Sequence, residues 1–225
     1  YNEPTYPNLT ALFGHLDVPT RPTDMGFAVS MDHGNLEYAG SDLNTLFAQR
    51  RNLVRPRFLS MLRDLARFYR TAPADMARAD PAMTLGAYLD ANGYGSAFQR
   101  DHLLPMAAAI WSAGADQMRD YPVGAFIRFC DNHGLLKFRD RPVWRTVVGG
   151  SRSYVRAMTA EFADSIRLDH AATAIRRLPD RVIVHDSRGG TDSFDHVVVA
   201  AHGDQALALL EQPTPDEARL LGRFR

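Results

Sequence analysis

The first forty residues switch between two spacings of apolar positions. Over 8–16 the apolar residues recur every three or four positions, which predicts an amphipathic helix with Asn8 as its N-cap. Over 25–31 they alternate with small residues, which predicts a strand with one buried face. Turn-forming residues at 32–35 and an apolar return complete a β-hairpin near 25–39.

Helical spacing dominates from residue 41 to residue 132. Apolar residues recur at i, i+3 or i+4 and i+7 between boundaries that carry proline, glycine or a capping residue. These boundaries are Pro56 at a first helical position, Thr84 and Gly93 around a short helix, Ser96 and Gln99 with capping-box spacing, Pro105 and Gly114 around an apolar helix, and Pro122 and 132–134 around another. The block is therefore predicted to be a series of helices.

The pattern changes after residue 143, where short strands and helices are mixed. The predicted elements are a strand at 145–148, a helix at 151–162, strands near 165–168, 181–185 and 195–200, turns at 179–180 and 189–190, a helix at 204–210 and a last helix from 213. A helical insertion between sheet-forming segments is typical of a two-domain enzyme whose nucleotide-binding fold is interrupted by a cap.

The order of these elements predicts an α+β fold with three parts. Residues 1–145 form a mostly helical substrate-binding or cap domain that contains the hairpin. Residues 146–203 form a β-rich part of an incomplete dinucleotide-binding domain, and residues 204–225 return toward the substrate domain.

Composition narrows the function classes. The 225 residues are 45% hydrophobic with a formal net charge of +0, which is ordinary globular composition and gives no support to a nucleic-acid or anionic-membrane partner. The single cysteine, Cys130, leaves no internal disulfide and no multi-cysteine metal site, and the histidines lack metal-binding spacing, so we expect no metal. No apolar run reaches membrane-spanning length and no signal-peptide pattern opens the chain, so we expect a cytoplasmic protein.

One glycine pair stands out as candidate chemistry. Gly149-Gly150 follows the predicted strand at 145–148 and precedes a predicted helix, and a second strand-like run lies at 194–201. Both suit a dinucleotide-binding enzyme, yet the chain has no G-x-G-x-x-G fingerprint to hold a pyrophosphate. The pattern indicates an interior piece of such an enzyme.

Several longer strings identify a family. LPMAAAIWS at 104–112, NHGLL at 132–136, RPVWRTVVGGSRSYV at 141–155 and the opening YNEPTYPNL resemble a bacterial branch of the flavin-containing amine oxidoreductases. These proteins are relatives of monoamine oxidases, protoporphyrinogen oxidases and phytoene desaturases. The resemblance implies FAD as the cofactor. It also implies that the segments which hold most of the FAD lie outside this chain.

The resemblance assigns expected roles to particular positions. Cofactor contacts are expected at the Gly149-Gly150 turn, at the Ala172 backbone, where the family uses a valine to hold the adenine, and at Ala200-Ala201 after a strand end. Ser153 is expected to face the substrate cavity, with a solvent-exposed helix serine as the alternative. Trp111 and Trp144 are expected to line that cavity, together with Tyr121, Phe126 and Phe129; ordinary core packing is the alternative. No catalytic residue is assigned. His133 is interpreted as a helix C-terminal histidine, with a catalytic role as the alternative.

We therefore expect a fragment of an FAD-dependent oxidoreductase that oxidises a C–N or C–C bond by hydride transfer, with the fragment alone inactive. The substrate would be a small apolar molecule or an amine, and a homodimer is possible. Two alternatives remain open: a non-catalytic substrate-binding or dimerisation piece, and a parent enzyme that desaturates or isomerises lipids or polyenes.

Overall fold

The computed structural model describes residues 1–75 and 80–224. The remaining residues of the predicted helical block, 76–79, lie outside the described part. The chain divides into two compact units, unit 1 over Tyr1–Met158 and unit 2 over Thr159–Arg225. Both contain helices and small antiparallel sheets, which confirms the predicted α+β class.

Unit 1 is mostly helical. Its helices are α1 Pro7–His15, α2 Leu43–Leu46, α3 Pro56–Asp75, α4 Leu85–Ala91, α5 Ser96–Phe98, α6 Leu104–Trp111, α7 Ala115–Arg119, α8 Val123–Asn132 and α9 Ser151–Thr159, with a 3₁₀ helix at Arg50–Val54 and a π-helical turn at Gln99–Leu103. Its strands are β1 Thr20–Pro22, β2 Ala28–Met31, β3 Leu36–Ala39 and β4 Arg145–Val147.

Two antiparallel pairs connect distant parts of unit 1. The predicted hairpin is confirmed, with Val29 opposite Tyr38 and a turn in which Asp32, His33 and Gly34 all have positive φ. Strands β1 and β4 pair with Thr20 opposite Val147, which joins the start of the chain to the segment that follows α8. Strand β1 precedes the helical block in the sequence and β4 follows it, so their pairing brings the two ends of the block together.

The core of unit 1 forms around α3. Proline suits the first helical position because its missing N–H would have no intrahelical partner there, and α3 begins at Pro56 as predicted. The helical spacing then places Met61 and Phe68 on the buried face. The Phe68 ring lies within 6.2 Å of Tyr88, Tyr94 and Phe98. Burying each such side chain stabilises the fold by roughly 1.5–3 kcal/mol.

Three predicted helix boundaries in unit 1 are wrong. Asn8 lies inside α1, which begins at Pro7 with Tyr6 as its N-cap. Proline suits the first helical position, so the helix begins one residue before the predicted cap. Ser96 is the first residue of α5 rather than its cap, and the Gln99 amide donates instead to the Tyr94 carbonyl.

The third concerns the end of α6. This helix ends at Ser112, which adopts the left-handed conformation, whereas the predicted terminator Gly114 is the N-cap of α7. With Ser112 in that conformation, the Ala113 amide donates to the Ala108 carbonyl at 3.1 Å, which gives one of the last helix carbonyls a partner.

Unit 2 is a three-stranded antiparallel sheet with two short helices. Its elements are a 3₁₀ helix at Ala160–Ser165, strands β5 Ala172–Arg177, β6 Val182–Asp186 and β7 Thr191–Phe194, and helices α10 Gly203–Leu209 and α11 Pro215–Leu221. The strand near 181–185, the turns on both sides of it and the last two helices match the prediction. Thr214 and Glu217 form a reciprocal capping box that begins α11.

Two predicted strands in unit 2 are wrong. Residues 166–168 are irregular and the strand of this region is β5, while 195–200 carry no strand pairing and Val198 is 90% exposed. An apolar run of this kind becomes a strand only when a neighbouring strand pairs with it. Among the described residues of unit 2, β5 pairs with β6 and β6 pairs with β7, and neither pairing includes 195–200.

Candidate functional site

A cavity of about 610 Å³ opens within unit 1. Its wall is formed by the segment that leads into β2, by α3, by the start of α6 and by the segment that follows α8. Phe27, Met106, Leu135, Val143 and Trp144 give the wall an apolar and aromatic character. The wall is also strongly polar, and its polar side chains include Tyr69, His102, His133, Asp24 and Arg141. A cavity that combines apolar surface with placed polar groups suits a small organic ligand.

Pro105 shapes one side of this cavity. Because proline has no amide hydrogen, the Asp101 carbonyl cannot receive the helical hydrogen bond that residue 105 would otherwise donate. The Tyr38 hydroxyl donates to that carbonyl instead, at 2.7 Å. The same hydroxyl lies 2.9 Å from His102 Nδ1. The helix irregularity therefore ties hairpin strand β3 to the cavity wall.

These contacts define the tautomer of His102. The single hydroxyl proton of Tyr38 is directed to the Asp101 carbonyl, which can only accept, so His102 Nδ1 must donate to the Tyr38 oxygen. Nε2 then carries a lone pair, and it has no hydrogen-bond partner among the described residues. Burial, aided by the positive charge of Arg141, lowers the pKa of His102 to about 4. The ring is therefore neutral at physiological pH.

Tyr69 presents the complementary group in the same wall. Its ring lies 4.9 Å from the Phe138 ring, and its hydroxyl makes no hydrogen bond with the described residues. Burial raises the pKa of Tyr69 to about 12, against a smaller lowering effect from Arg141. The hydroxyl therefore stays protonated and can donate a hydrogen bond.

His133 lies on the cavity wall with both ring nitrogens occupied. Nδ1 lies 2.8 Å from the Phe129 carbonyl, and Nε2 lies 3.0 Å from the Tyr6 hydroxyl. The ring stacks on Phe129 at 4.0 Å and on Trp144 at 6.4 Å. Because every polar atom has a partner, His133 acts as a structural residue at the end of α8, as the sequence suggested.

The two tryptophans occupy different environments. Trp144 lines the cavity beside His133. Trp111 packs against Tyr121, Phe126 and Phe129 at ring distances of 4.7–5.6 Å and does not line the cavity. It therefore supports the wall from behind, through Phe129.

Gly149 and Gly150 form the turn between β4 and α9. Their φ angles are 80° and 78°, a region that favours glycine. A side chain at Gly150 would meet nothing within 4 Å, so the backbone angle alone explains that glycine. The Ser153 hydroxyl folds back onto this turn and lies 3.0 and 2.5 Å from the Val148 and Gly150 carbonyls, which share its one proton.

The remaining cofactor candidates belong to unit 2. Ala172 begins β5, opposite Asp186, next to an irregularity in the strand register. Ala200 and Ala201 are exposed and lie in the irregular stretch before α10.

Sequence reasoning did not single out Tyr69 or His102. Tyr69 counted as one apolar position on α3, and His102 as one of several scattered histidines. The available signal was a histidine three residues before a proline inside an apolar helix, since such a proline frees a carbonyl that a neighbouring side chain can use.

The structure provides two further observations about binding sites. Across residues 1–75 and 80–224, no group of three or more His, Cys, Asp or Glu side chains could hold a metal ion. None of the helices in the described ranges has the length and apolar content needed to cross a membrane.

Comparison with known proteins now adds a family. The model of the flavin containing amine oxidoreductases matches residues 3–223. No curated protein matches the sequence significantly.

Several solved structures share the fold. A putrescine oxidase solved with putrescine bound superposes with a TM-score of 0.67 at 14% identity, over 97% of this chain and 50% of that chain. Cyclohexylamine oxidase from Brevibacterium oxydans IH-35A gives 0.66 at 19% identity, over 97% and 49%. A conjugated-linoleic-acid-producing fatty acid isomerase from P. acnes gives 0.57 at 13% identity, over 97% and 50%. The chain thus spans about half the length of these structures.

Proposed function

Because this chain belongs to the flavin-containing amine oxidoreductase family, we propose that it is part of an FAD-dependent oxidoreductase whose substrate occupies the cavity of unit 1. The observation that carries this proposal is a pair of polar groups in the cavity wall that have no hydrogen-bond partner in the described part of the protein. The Tyr69 hydroxyl and His102 Nε2 lack protein partners among the described residues, whereas His133 beside them is fully bonded.

The pair defines what the cavity would recognise. Tyr69 offers a donor, and neutral His102 offers an acceptor. An unprotonated amine has both an N–H group and a lone pair, so it can satisfy both residues at once. Leaving a buried acceptor without a partner costs about 1–3 kcal/mol, which a bound ligand would recover. The apolar wall would hold the hydrocarbon part of the substrate and exclude water.

A flavin, when bound, supplies the hydride acceptor for oxidation of the C–N bond. We propose that the Gly149-Gly150 turn approaches the flavin and that Ala172, Ala200 and Ala201 contribute backbone contacts to the FAD. Consecutive glycines with positive φ expose the edges of their peptide groups, which fits close approach of a planar ring. Ser153 would then act by stabilising that turn, since its hydroxyl proton is already shared by two of its carbonyls.

A lipid-directed reaction is the second candidate. The apolar wall also suits a hydrocarbon chain, and the fatty acid isomerase shares the fold. In that case the substrate would make little use of the Tyr69 and His102 pair, because an alkene offers no N–H donor. A non-catalytic binding piece is the third candidate, and it predicts ligand binding without flavin.

The first experiment asks whether this chain holds flavin. FAD is added to the purified protein, free cofactor is removed, and the visible absorbance is recorded. Retained flavin absorbance supports the proposal. A preparation that stays colourless contradicts FAD binding by this chain and favours the hypothesis of a non-catalytic binding piece.

The second experiment compares ligands by anaerobic loss of the visible flavin absorbance. The ligands are added to the whole flavin-bound enzyme, because the fragment alone is expected to be inactive. Cyclohexylamine is expected to reduce the flavin and an unsaturated fatty acid is not. We expect Tyr69→Phe to raise the half-saturating amine concentration about two- to tenfold, because it removes one neutral hydrogen bond. Tyr154→Phe is the matched control, since Tyr154 lies in unit 1 outside the cavity wall. Equal effects of the two changes would contradict a role for Tyr69.

A further inference from the structure

A surface turn of unit 1 combines exposed apolar side chains with uncompensated positive charge. The 3₁₀ helix ends in Leu53 and Val54, which are 51% and 78% exposed. Arg50, Arg51 and Arg55 surround them in sequence, and residues 50–55 are called the Leu53 turn below. We propose that the Leu53 turn docks on an anionic lipid bilayer.

The charge of this turn is locally one-sided, although the whole chain is neutral. Residues 43–63 contain five arginines and no aspartate or glutamate. Arg57 and Arg63 form ion pairs with Asp101 and Asp64. The three arginines of the Leu53 turn form no ion pair with a carboxylate among the described residues. Three positive charges therefore remain available to an anionic partner.

Those three arginines are nevertheless held in place by neutral acceptors. Arg50 donates to the Phe47 carbonyl and to the Asn44 side chain. Arg51 and Arg55 both donate to the Asn35 carbonyl in the hairpin turn, at 2.7 Å each. The guanidinium groups thus keep their full charge and also brace the turn.

A buried residue at the centre of the Leu53 turn fixes the orientation in which Leu53 and Val54 point into solvent. Asn52 is fully buried, and its amide donates to the Glu37 carbonyl at 3.3 Å. Leu53 and Val54 follow immediately and are exposed. Because Asn52 and the arginines anchor the turn on both sides, the two apolar side chains stay in solvent rather than folding inward. An apolar tip ringed by arginine matches the interfacial zone of an anionic bilayer.

The same features disfavour other occupants. A symmetric contact with a second copy would place the arginines of both copies against each other without carboxylates between them. Nucleic acid would use the charges, but the exposed apolar side chains of the turn, Leu53 and Val54, are aliphatic and offer no stacking surface. The bilayer is the partner that uses both the charge and the apolar tip.

Vesicle sedimentation tests the proposal directly. We expect the protein to bind vesicles of equimolar phosphatidylcholine and phosphatidylglycerol and not vesicles of phosphatidylcholine alone, with binding that weakens as salt rises. The double change Leu53→Ser and Val54→Ser should weaken binding at least about tenfold, from the lost apolar contact. Arg50→Gln should weaken it about fivefold and flatten its salt dependence.

Unit 2 provides the matched control. Leu168 and Val198 are 76% and 90% exposed, so changing both to serine removes, from another surface, a leucine and a valine that are more exposed than Leu53 and Val54. This variant should bind vesicles like the unchanged protein. Far-UV circular dichroism checks that every variant is folded.

Four outcomes overturn the proposal. The first is equal binding to both vesicle types, and the second is an equal loss of vesicle binding in the Leu53/Val54 and Leu168/Val198 variants. The third is displacement of the protein from vesicles by an oligonucleotide. The fourth is a dimer, detected by light scattering, that the Leu53/Val54 change abolishes.

Tryptophan fluorescence separates insertion into the bilayer from adsorption on its surface. Val54→Trp should be quenched by brominated lipid, and Val198→Trp should not.

Discussion

The two units of this chain bury their apolar residues to very different degrees. In unit 1 one continuous cluster includes hairpin residues such as Tyr38 and helix residues such as Phe68 and Phe126. Among the described residues of unit 2, only Ile175 and Ala206 are buried hydrophobics, while Phe194 and Val198 remain exposed. Unit 1 is thus organised by packing, whereas unit 2 depends on hydrogen bonds and surface charge.

The charged contacts of unit 2 illustrate this difference. Arg176 pairs with Glu211, Arg177 with Glu217, and Arg167 with Asp192, all with exposed side chains. Exposed ion pairs contribute little to stability compared with a buried aromatic side chain. The cavity of unit 1 therefore has a frame of closely packed side chains, which a site needs if it is to hold a substrate in one orientation.

The largest expected effect is the loss of a core ring from unit 1. Phe68→Ala should lower the free energy of unfolding by roughly 3–5 kcal/mol, because it removes a fully buried side chain and leaves a cavity. Both tryptophans, Trp111 and Trp144, belong to unit 1, so denaturant unfolding followed by tryptophan fluorescence reports this unit. Phe194→Ala, at a 42% exposed ring of unit 2, should leave that transition unchanged. If both variants changed the free energy of unfolding equally, the proposed difference in packing between the two units would be wrong.

The next effect is the pH dependence of unit 1. Burial lowers the pKa of His102 from 6.5 to about 4, so between these values the unfolded chain binds a proton that the folded chain does not. This contribution to stability is present above pH 6.5 and is lost as pH falls toward 4, by roughly 3 kcal/mol. His102→Gln should reduce the difference in the free energy of unfolding between pH 6.5 and pH 4. A variant that keeps the full pH dependence would show that other groups cause it.

A smaller effect tests the contact that orients His102. Tyr38→Phe removes the hydroxyl that serves both the Asp101 carbonyl and His102 Nδ1, and it should destabilise unit 1 by about 1–3 kcal/mol. The measurement is again the fluorescence-detected transition. Tyr154→Phe, which alters a partly exposed ring, is the control and should change little. A neutral result for Tyr38→Phe would mean that water replaces its hydroxyl.

The smallest effect belongs to unit 2. The hydrogen bond from Arg177, together with those from Thr214, holds the pKa of Glu217 down at about 2. The ionised Glu217 carboxylate therefore contributes to the stability of unit 2 above pH 4.5, and this contribution is lost as pH falls through about 2. Glu217→Gln should speed hydrogen exchange in α11 at neutral pH and leave α3 unaffected. Unchanged exchange in α11 would show that the ion pair and capping box are dispensable.

Local patterns predicted those elements whose partners are close in sequence. Helix α3 begins at Pro56, the hairpin turns at 32–35 and α11 begins with its capping box, because the signals for each lie within a few residues. The strand predicted at 195–200 is wrong because an apolar run specifies burial, not the strand that would pair with it.

The candidate site was harder to predict for the same reason. The positive φ of Gly149 and Gly150 follows from the sequence, whereas the roles of Tyr69 and His102 depend on contacts across the fold. His102 meets Tyr38 from a position 64 residues away, and no local pattern encodes that meeting. The identity of the family came from longer strings of residues rather than from single positions.

The most direct test of the substrate cavity is a titration with cyclohexylamine followed by ¹H–¹⁵N NMR. If the amine binds in the cavity, the NMR signals of the His102 ring nitrogens and of the Trp144 indole shift. The apparent affinity should rise with pH, because more of the amine is unprotonated, and it should fall in Tyr69→Phe. The strands of unit 2 should stay unperturbed. Shifts that appear only in unit 2, or none at saturating amine, would contradict the cavity of unit 1 as the substrate site.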